Sequence, residues 1–248
     1  MLVLLPPSET KAEGTDGPPL DLASLSFPSL TRTRRTLLRD LVRLAKKEPV
    51  ALREALGLSE RQHAEVLRDR NLLTAPTLPA AELYTGIVYD NLSYVTLAAP
   101  ARKRADESLL VASALFGLLR PQDCVPPYRL SGSTVLPGLG GLAPRWRPVL
   151  EPLLTGGLVV DLRSGAYTQL ARVPGACHVR VLREAAGVRT VVSHDNKWTK
   201  GRLARALCEH GARTPADVAE IGRTVSDAVE VDGTRVDLLL HGLASARA

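Results

Sequence analysis

The 248-residue sequence predicts a globular domain in which short buried strands are combined with helices. Two observations lead to this fold class. Short runs of continuous or alternating apolar residues, such as LVLL near the N-terminus and HVRVLRE further on, are typical of strands. Residues 31–71 instead carry apolar residues at helical spacing. The composition, with 45% hydrophobic and 23% charged residues, suits a chain that buries one sizeable core.

The first predicted element is a buried strand in MLVLLPP. This segment has no basic region and only a few apolar residues before two prolines, so we expect neither a signal peptide nor a membrane span. The chain's three cysteines are too few and too scattered for a disulfide framework or a CxxC metal knuckle. We therefore expect a monomeric cytoplasmic protein with no membrane partner, no bound cofactor and no metal.

A helical module is predicted at about 31–78. Its first helix has Leu37, Leu41 and Leu44 at helical spacing, and Pro49 fits the first turn of a second, short helix. The break between them is predicted at the proline, because proline is tolerated in the first turn but not in a helix interior.

The end of the second helix and the start of the third also have sequence signals. Gly57 is expected to close the second helix, and Ser59 with Gln62 has the form of a capping box. The third helix is expected to present an apolar face that includes Val66 and Leu67. The result is a helix, a tight LGLS turn and a helix.

The basic charge of the chain is concentrated in this module. Residues 31–71 contain eleven basic and six acidic residues, which leaves +5 of the formal net charge of +6. A tight glycine turn presents N–H groups to phosphates, and basic residues such as Arg61 and Arg68 flank it. The module therefore has the form of a DNA-backbone-binding unit. The alternative is that the arginines only solvate the surface.

Further elements are predicted downstream. Residues 109–112 form a short apolar run that fits a buried strand, GLVVDLRSG fits a strand that ends in a turn, and HVRVLRE with VRTVVSH fits a hairpin. Thr214 followed by Pro215 is a helix start, and VEVDGTRVDLLL carries an Asp-Gly hairpin signal. Strands and helices thus alternate along the chain.

The stretch SHDNKWTKGR places positive charge where a helix is predicted to begin. With Asp195 or Asn196 as the cap, Lys197 and Lys200 would stand beside free backbone N–H groups, where a lysine costs about 0.3–1 kcal/mol. A bound anion would reverse the sign of that interaction. The alternative is that both lysines point into water.

Arginines next to predicted turns form a second candidate group. Arg120, Arg129 and Arg163 have the planar fork that suits phosphate, and Tyr128 beside Arg129 is placed to stack on a base or ring. The alternative is a structural ion pair of one arginine with Asp123 or Asp161. The sequence leaves both readings open.

Five stretches together resemble the YaaA peroxide-stress family: LLPPSETK at 4–11, LYTGIVYDNL at 83–92, LFGLLRPQDCVPPYRL at 115–130, VVDLRSGAY at 159–167 and SHDNKWTKGRLAR at 193–205. The resemblance implies an α+β fold, a mixed sheet core with peripheral helices and a helix-hairpin-helix module, in one domain at 1–248. It also implies a cytoplasmic bacterial protein that binds DNA and limits oxidative damage when iron and peroxide meet. The motif positions are Lys11, Tyr84, Gly86, Arg120, Asp123, Tyr128, Arg129, Asp161, Arg163, Lys197 and Lys200.

Two main functions follow from these residues. In the first, the protein is a nucleic-acid-binding stress protein that contacts DNA phosphates. In the second, it is an enzyme that acts on a nucleotide-like or other anionic small molecule. Both need an anion-binding cleft, which we expect to be built from Lys11, Arg120, Arg129, Arg163, Lys197 and Lys200. A third class, a noncatalytic partner-binding protein, would instead need a large exposed apolar patch.

Overall fold

A computed structural model describes residues 1–14, 16–185, 188–191 and 193–241. The helices are α1 (Thr31–Lys47), α2 (Pro49–Ala55), α3 (His63–Arg70), α4 (Ala80–Leu83), α5 (Ile87–Leu92), α6 (Ala99–Ser108), α7 (Ala143–Leu150), α8 (Gly165–Thr168), α9 (Ser193–His210) and α10 (Pro215–Gly222). The strands are β1 (Leu2–Leu5), β2 (Leu78–Pro79), β3 (Leu109–Ser113), β4 (Gly117–Leu119), β5 (Cys124–Val125), β6 (Val135–Leu136), β7 (Gly140–Gly141), β8 (Val159–Asp161), β9 (Cys177–Ala185), β10 (Val188–Val191), β11 (Ala228–Asp232) and β12 (Arg235–His241).

An eight-stranded mixed sheet forms the centre of the protein. Seven strands follow the order β11-β12-β9-β8-β1-β3-β4, and β10 pairs with β9 as an antiparallel hairpin. The inner pairs β3–β1, β1–β8, β8–β9 and β9–β12 are parallel, whereas β4 and β11 are antiparallel edge strands. The predicted mixed sheet with peripheral helices is thereby confirmed.

Strand β1 lies in the middle of the sheet because its sequence is apolar without interruption. Val3, Leu4 and Leu5 are at most 1% exposed, as expected of a parallel strand that is covered on both faces. Val3 pairs with Leu109 on one side and with Val160 on the other. The predicted strands at the N-terminus, at 109–112 and in GLVVDL are therefore neighbours in space.

The local signals in the helical segment are confirmed. Leu37, Leu41 and Leu44 are fully buried on α1, and Pro49 opens α2. Gly57 has a φ of 65° just beyond α2, the left-handed conformation that ends many helices. Ser59 donates its backbone N–H to the Gln62 side chain at 3.1 Å, half of the predicted capping box.

The predicted apolar face of α3 is wrong at one position. Val66 is buried, but Leu67 is 44% exposed, and Asp69 takes the second buried place with 0% exposure. Residues three apart share one side of a helix, so burying Val66 also buries Asp69 and turns Leu67 outward. The assignment of this segment to a helix-hairpin-helix module stays a prediction.

A buried arginine ties the helical segment to the sheet. The guanidinium of Arg34, on α1, donates to the carbonyl oxygens of Phe116 at 2.9 Å, Leu118 at 2.8 Å and Ser26 at 2.7 Å. Burial lowers the pKa of Arg34 to about 10, and Asp123 opposes that shift. Because the Phe116 and Leu118 carbonyls lie beside and in the edge strand β4, α1 is anchored to the main sheet. The division of the chain into one domain with an insertion stays a prediction.

The C-terminal hairpin and helix start also follow the sequence. Thr214 accepts from the N–H of Asp217 at 3.2 Å, and Gly233 adopts a φ of 60° in the Asp-Gly turn between β11 and β12. The AAG turn of the β9–β10 hairpin extends beyond the described residues. In the described part of the chain, every helix is too short or too polar to cross a bilayer. These same residues contain no group of three or more His, Cys, Asp or Glu side chains able to hold a metal ion.

Candidate functional site

A cleft of about 700 Å³ lies outside the carboxyl ends of β1 and β8. In the sheet, β3 lies on one side of β1, and the later strands β8 and β9 lie on the other side of β1. Such a reversal of strand order leaves a crevice between the loops that follow the two strands. The lining comes from residues 6–11, 85–89, 129–131, 162, 164, 166, 167, 191, 196, 197 and 200.

Four predicted cations line this cleft. Lys11 follows β1, Arg129 lies on the loop after β5, and Lys197 and Lys200 lie on α9. Lys197 is exposed, whereas Lys200 is only 8% exposed and donates to the carbonyl oxygen of Leu162 at 3.1 Å. Burial lowers the pKa of Lys200, and the carboxylate of Asp161 opposes that shift. The cleft thus combines one solvated ammonium with one that has lost most of its water.

Lys11 is held in place by its own loop and by two aromatic rings. Its Nζ donates to the carbonyl oxygens of Ser8 at 3.0 Å and Glu9 at 3.3 Å. It also lies 4.5 Å from the ring centroid of Tyr128 and 5.5 Å from that of Tyr84. Burial, followed by the positive charge of Arg129, lowers the pKa of Lys11 to about 8. This amine therefore gives up its proton at a lower pH than an exposed lysine.

Behind Arg129 lies a buried carboxyl group. One oxygen of Asp69 accepts the backbone N–H of Arg129 at 2.8 Å, and among the described residues its Oδ2 has no hydrogen-bond partner. Burial raises the pKa of Asp69 to about 8, although the Arg129 N–H and the charge of Lys11 oppose that shift. The Arg129 guanidinium itself donates to Glu9 at 2.8 Å.

A chain of hydroxyl groups lies beneath Lys11. The hydroxyls of Tyr84 and Tyr128 are 2.9 Å apart, and that of Tyr128 is 2.7 Å from Ser113 Oγ, which accepts the N–H of Phe116 at 2.9 Å. Burial raises the pKa of both tyrosines far above the physiological range, so both phenols are neutral. Tyr128 is only 1% exposed, and its burial does not fit the predicted role of stacking on a base.

Gly86 lines the same cleft at the start of α5. Its φ of 96° is a backbone conformation that residues with a side chain rarely adopt. A Cβ added at this position would lie 3.6 Å from the hydroxyl oxygen of Thr10. The turn brings the LYTG stretch against the SETK loop, where Lys11 and Tyr84 also pair as an isolated bridge.

Arg120 and Asp123 lie away from the cleft. The Arg120 guanidinium donates to the carbonyl oxygens of Asp106 at 2.9 Å and Glu107 at 2.7 Å, and it lies over the ring of Phe27. The Asp123 carboxylate accepts the backbone N–H groups of Ser26 and Arg120, both at 2.8 Å. Arg120 thus ties its loop to the end of α6, and Asp123 ties the same loop to the segment before α1.

Asp161 and Arg163 form the internal ion pair that was the alternative reading. Arg163 Nη2 lies 2.8 Å from Asp161 Oδ2, Nε donates to Oδ1 at 2.9 Å, and both side chains are at most 2% exposed. Burial alone would raise the pKa of Asp161, but the Arg163 hydrogen bonds lower it. The pair rigidifies the loop after β8, which supplies Leu162 and Ser164 to the cleft.

The two basic residues chosen in the helical module differ in environment. Arg61 is exposed, whereas the Arg68 guanidinium forms ion pairs with Glu65 on α3 and with Glu13 of the loop after β1. Arg68 is therefore engaged in contacts within the protein. Its pair with Glu13 links α3 to the loop that carries Lys11.

The predicted start of the lysine-bearing helix is displaced. Helix α9 begins at Ser193, so Asp195 and Asn196 lie inside its first turn and do not cap it. The residue that precedes the helix lies outside the described part of the chain. Asp195 pairs with Arg183 of β9, which draws the helix start toward the hairpin. Lys200 lies two turns into α9, where the helix dipole has little effect.

Several residues in or behind the cleft were not among the predicted site residues. Asp69 was hidden among the charges of the basic module, and only its burial distinguishes it. Asn196 lines the cleft, and within the described residues its Oδ1 is buried without a hydrogen-bond partner. Tyr89 and Tyr167 lay within the stretches that resemble the family and could have been singled out from them.

Comparisons with known proteins agree with the resemblance. Residues 1–225 match the family described as peroxide stress protein YaaA. A UPF0246 protein of Corynebacterium efficiens is 45% identical over 96% of this chain and 98% of its own length. A UPF0246 protein of Streptomyces coelicolor is 44% identical over 97% of this chain and 99% of its own. The chain thus belongs to the peroxide stress protein YaaA family.

Proposed function

We propose that this protein serves the bacterial response to peroxide by binding a nucleotide-like, phosphate-bearing small molecule in the cleft. The observation that carries the proposal is the convergence of Lys11, Arg129, Lys197 and Lys200, from three separate segments, on one crevice. A crevice of about 700 Å³ is large enough for such a ligand. Its position at a reversal of strand order is also where nucleotide ligands commonly bind in sheets of this kind.

The protonation states in the cleft favour a chemical step on that ligand. Lys11 and Asp69 both have pKa values of about 8, one lowered and one raised by burial. Groups that are shifted toward neutrality and that lie in or beside a cleft are typical of enzyme sites. The cations would hold the phosphate, and Lys11, which lines the cleft in front of Asp69, would release or take up a proton near physiological pH.

The second candidate is DNA binding by the outer surface of the helical segment. It is favoured by the exposed cations of α1, of α3 and of the turn that precedes α3: Arg32, Arg35, Arg39, Lys46, Lys47, Arg61 and Arg70. Such a surface would contact phosphates with little sequence preference and would lose affinity steeply with salt. In this case the protein would bind DNA through its phosphates and limit iron-dependent oxidative damage.

The two candidates make different predictions for two matched double variants. Lys197→Ala with Lys200→Met removes cleft cations, and Arg35→Ala with Arg39→Ala removes exposed cations on α1. Calorimetry with inorganic phosphate and AMP, and titration with duplex DNA at 50 and 200 mM salt, should be combined with peroxide survival of cells that carry each variant.

For the cleft proposal, we expect the first variant to lose AMP binding and peroxide protection while the second keeps both. If the wild-type protein bound neither phosphate nor AMP, and the α1 variant alone lost DNA binding and protection, DNA would be the functional ligand. Residues 31–71 contribute nothing to the lining of the cleft within the described chain, so the two variants act on separate surfaces.

A further inference from the structure

Three of the six lysines in the chain line one cleft, and their surroundings differ in a way that singles out one of them. Lys197 is exposed to water. Lys200 donates to Leu162 and is stabilised in its charged form by Asp161. Lys11 instead has the cation Arg129 as its strongest charged neighbour. A lysine that is desolvated beside another cation matches the environment of imine-forming lysines in enzymes.

The hydrogen bonds of Lys11 suit a neutral amine. A neutral amine has two N–H bonds and one lone pair, and the Nζ of Lys11 has two carbonyl acceptors, Ser8 at 3.0 Å and Glu9 at 3.3 Å. A neutral amine that directed both N–H bonds at this loop would keep its lone pair for a ligand. The rings of Tyr84 and Tyr128, both at most 1% exposed, exclude water from the other side of the side chain.

The rest of the cleft matches a ligand with a phosphate and further polar groups. Arg129, Lys197 and Lys200 supply positive charge. The Oδ1 of Asn196 has no hydrogen-bond partner among the described residues, so it is able to accept a hydrogen bond from a ligand hydroxyl. Phosphate binding by these groups would hold an aldehyde or ketone of the same molecule in the cleft with Lys11.

We infer that Lys11 is a nucleophile that forms an imine with a phosphorylated aldehyde or ketone bound in this cleft. The inference rests on the proposed phosphate-binding function and adds the reactive class of the ligand. The Nζ lone pair forms a bond to the carbonyl carbon, the two N–H protons pass to the carbonyl oxygen, and that oxygen leaves as water. No electron is gained or lost in this step.

The pH at which Lys11 becomes nucleophilic depends on its charged and titratable surroundings. They come from the loops after β1 and β5 and from α3 and α4: Arg129, Asp69, Glu65, Arg68, Glu9, Tyr84 and Tyr128. The cation Arg129 favours the neutral amine, while Asp69, Glu65 and the two tyrosine ring faces favour the charged one. Burial acts in the same direction as Arg129 and outweighs the two carboxyl groups, so the reaction should accelerate through about pH 8.

The test uses pyridoxal 5′-phosphate, which is a phosphorylated aldehyde, followed by borohydride to reduce any imine to a stable amine. Peptide mass mapping then reports modification at each of the six lysines. We expect Lys11 to be labelled at least tenfold faster than exposed Lys47 and Lys103, with inorganic phosphate slowing only the Lys11 reaction. Pyridoxal without the phosphate should lose most of this preference.

Lys11→Arg and Lys47→Arg are the matched variants, since each keeps a positive charge. The first should abolish the fast label and the second should not. Equal labelling of all exposed lysines, or fast labelling of Lys197 in place of Lys11, would overturn the inference. Phosphate and AMP binding without a Lys11 adduct would also overturn it, although the proposed function would stand. Absence of phosphate and AMP binding by the wild-type protein would remove the proposed function itself.

Discussion

Asp69 Oδ1 accepts the backbone N–H of Arg129 at 2.8 Å, and this hydrogen bond joins helix α3 to a loop that lines the cleft. The ion pair between Arg68 and Glu13 makes a second link from the same helix to the loop after β1. The helical segment therefore supports the cleft from behind, although its own residues do not line it within the described chain. Changes in α3 should reach the cleft through these two links.

Asp69→Asn should raise stability at neutral and alkaline pH. The folded-state pKa of Asp69, about 8, lies above its usual value of 3.8, so ionisation opposes folding and the wild-type protein loses stability as pH rises between these values. Asparagine keeps an acceptor for the Arg129 N–H and cannot ionise. We expect the variant to match the wild type near pH 4 and to exceed it by a margin that grows as pH rises to 8.

Urea unfolding at pH 4, 6 and 8 measures this difference. Glu54→Gln removes one exposed carboxyl from α2 and is the control. A gain that is the same at every pH, or that also occurs in the control, would show that the Asp69 carboxyl does not cause it.

Lys200→Met and Lys197→Ala should separate ligand binding from stability. Lys200 is 8% exposed with a pKa lowered by burial, so its charge opposes folding below the folded-state pKa, and this cost is relieved as pH rises toward 10.5. Near pH 7, Lys200→Met should be as stable as the wild type or more stable by up to about 1 kcal/mol. Lys197→Ala should stay within about 0.5 kcal/mol.

Both lysine variants should lose the rise in melting temperature that phosphate or AMP gives the wild type. Thermal unfolding with and without each ligand measures this. If Lys200→Met unfolds more easily and keeps its response to ligand, Lys200 is a structural residue that holds Leu162.

Arg61→Ala and Arg68→Ala should differ, because only Arg61 is free of the ion pairs that hold Arg68 to Glu65 and Glu13. If DNA contacts this surface, Arg61→Ala should reduce the slope of affinity against salt by about one unit at unchanged stability. Arg68→Ala should cost about 0.5–1 kcal/mol of stability. Arg223→Ala, which removes an exposed cation outside residues 31–71, is the control for DNA titrations.

Gly117→Ala should destabilise the fold much more than Gly140→Ala. Both glycines have a φ near 75°, but a Cβ at Gly117 would lie 2.7 Å from the ring of buried Trp146, whereas nothing lies within 4 Å at Gly140. Trp146 is unable to retreat freely because its indole N–H donates to Ala114 at 2.8 Å. We expect losses of about 2–4 kcal/mol and about 1 kcal/mol, respectively. Equal melting temperatures for the two variants would contradict this account.

Local signals predicted many elements of this fold. Strand β1, the break at Pro49, the left-handed Gly57 and the Thr214 helix start each depend on a few neighbouring residues, and each is present. The wrong position on α3 has a different origin. Periodicity could not tell which side of an eight-residue helix faces the core, because Val66 is compatible with either Leu67 or Asp69 as its buried neighbour.

The sequence could nominate cations for a cleft but could not sort them. Arg129 and Arg163 look alike as arginines in turns, yet Arg163 pairs with Asp161 two residues away and does not line the cleft, while Arg129 lines it and pairs with Glu9 of another loop. Which carboxylate an arginine finds, and whether the arginine lines the cleft, depends on side-chain directions in loops, and these are set by packing between distant segments.

By itself, the sequence determined the family, the strand and helix starts that local chemistry controls, and the presence of a strongly basic segment. The tertiary structure alone decided that Lys11, Arg129, Lys197 and Lys200 share one crevice, that Arg120 and Arg163 do not line it, and that Asp69 is buried behind it. The physical reason is that burial and charge pairing depend on parallel strands that bring residues over a hundred positions apart to one sheet edge. Those contacts shift the pKa values of Lys11 and Asp69 toward neutrality. No local sequence pattern encodes these long-range contacts.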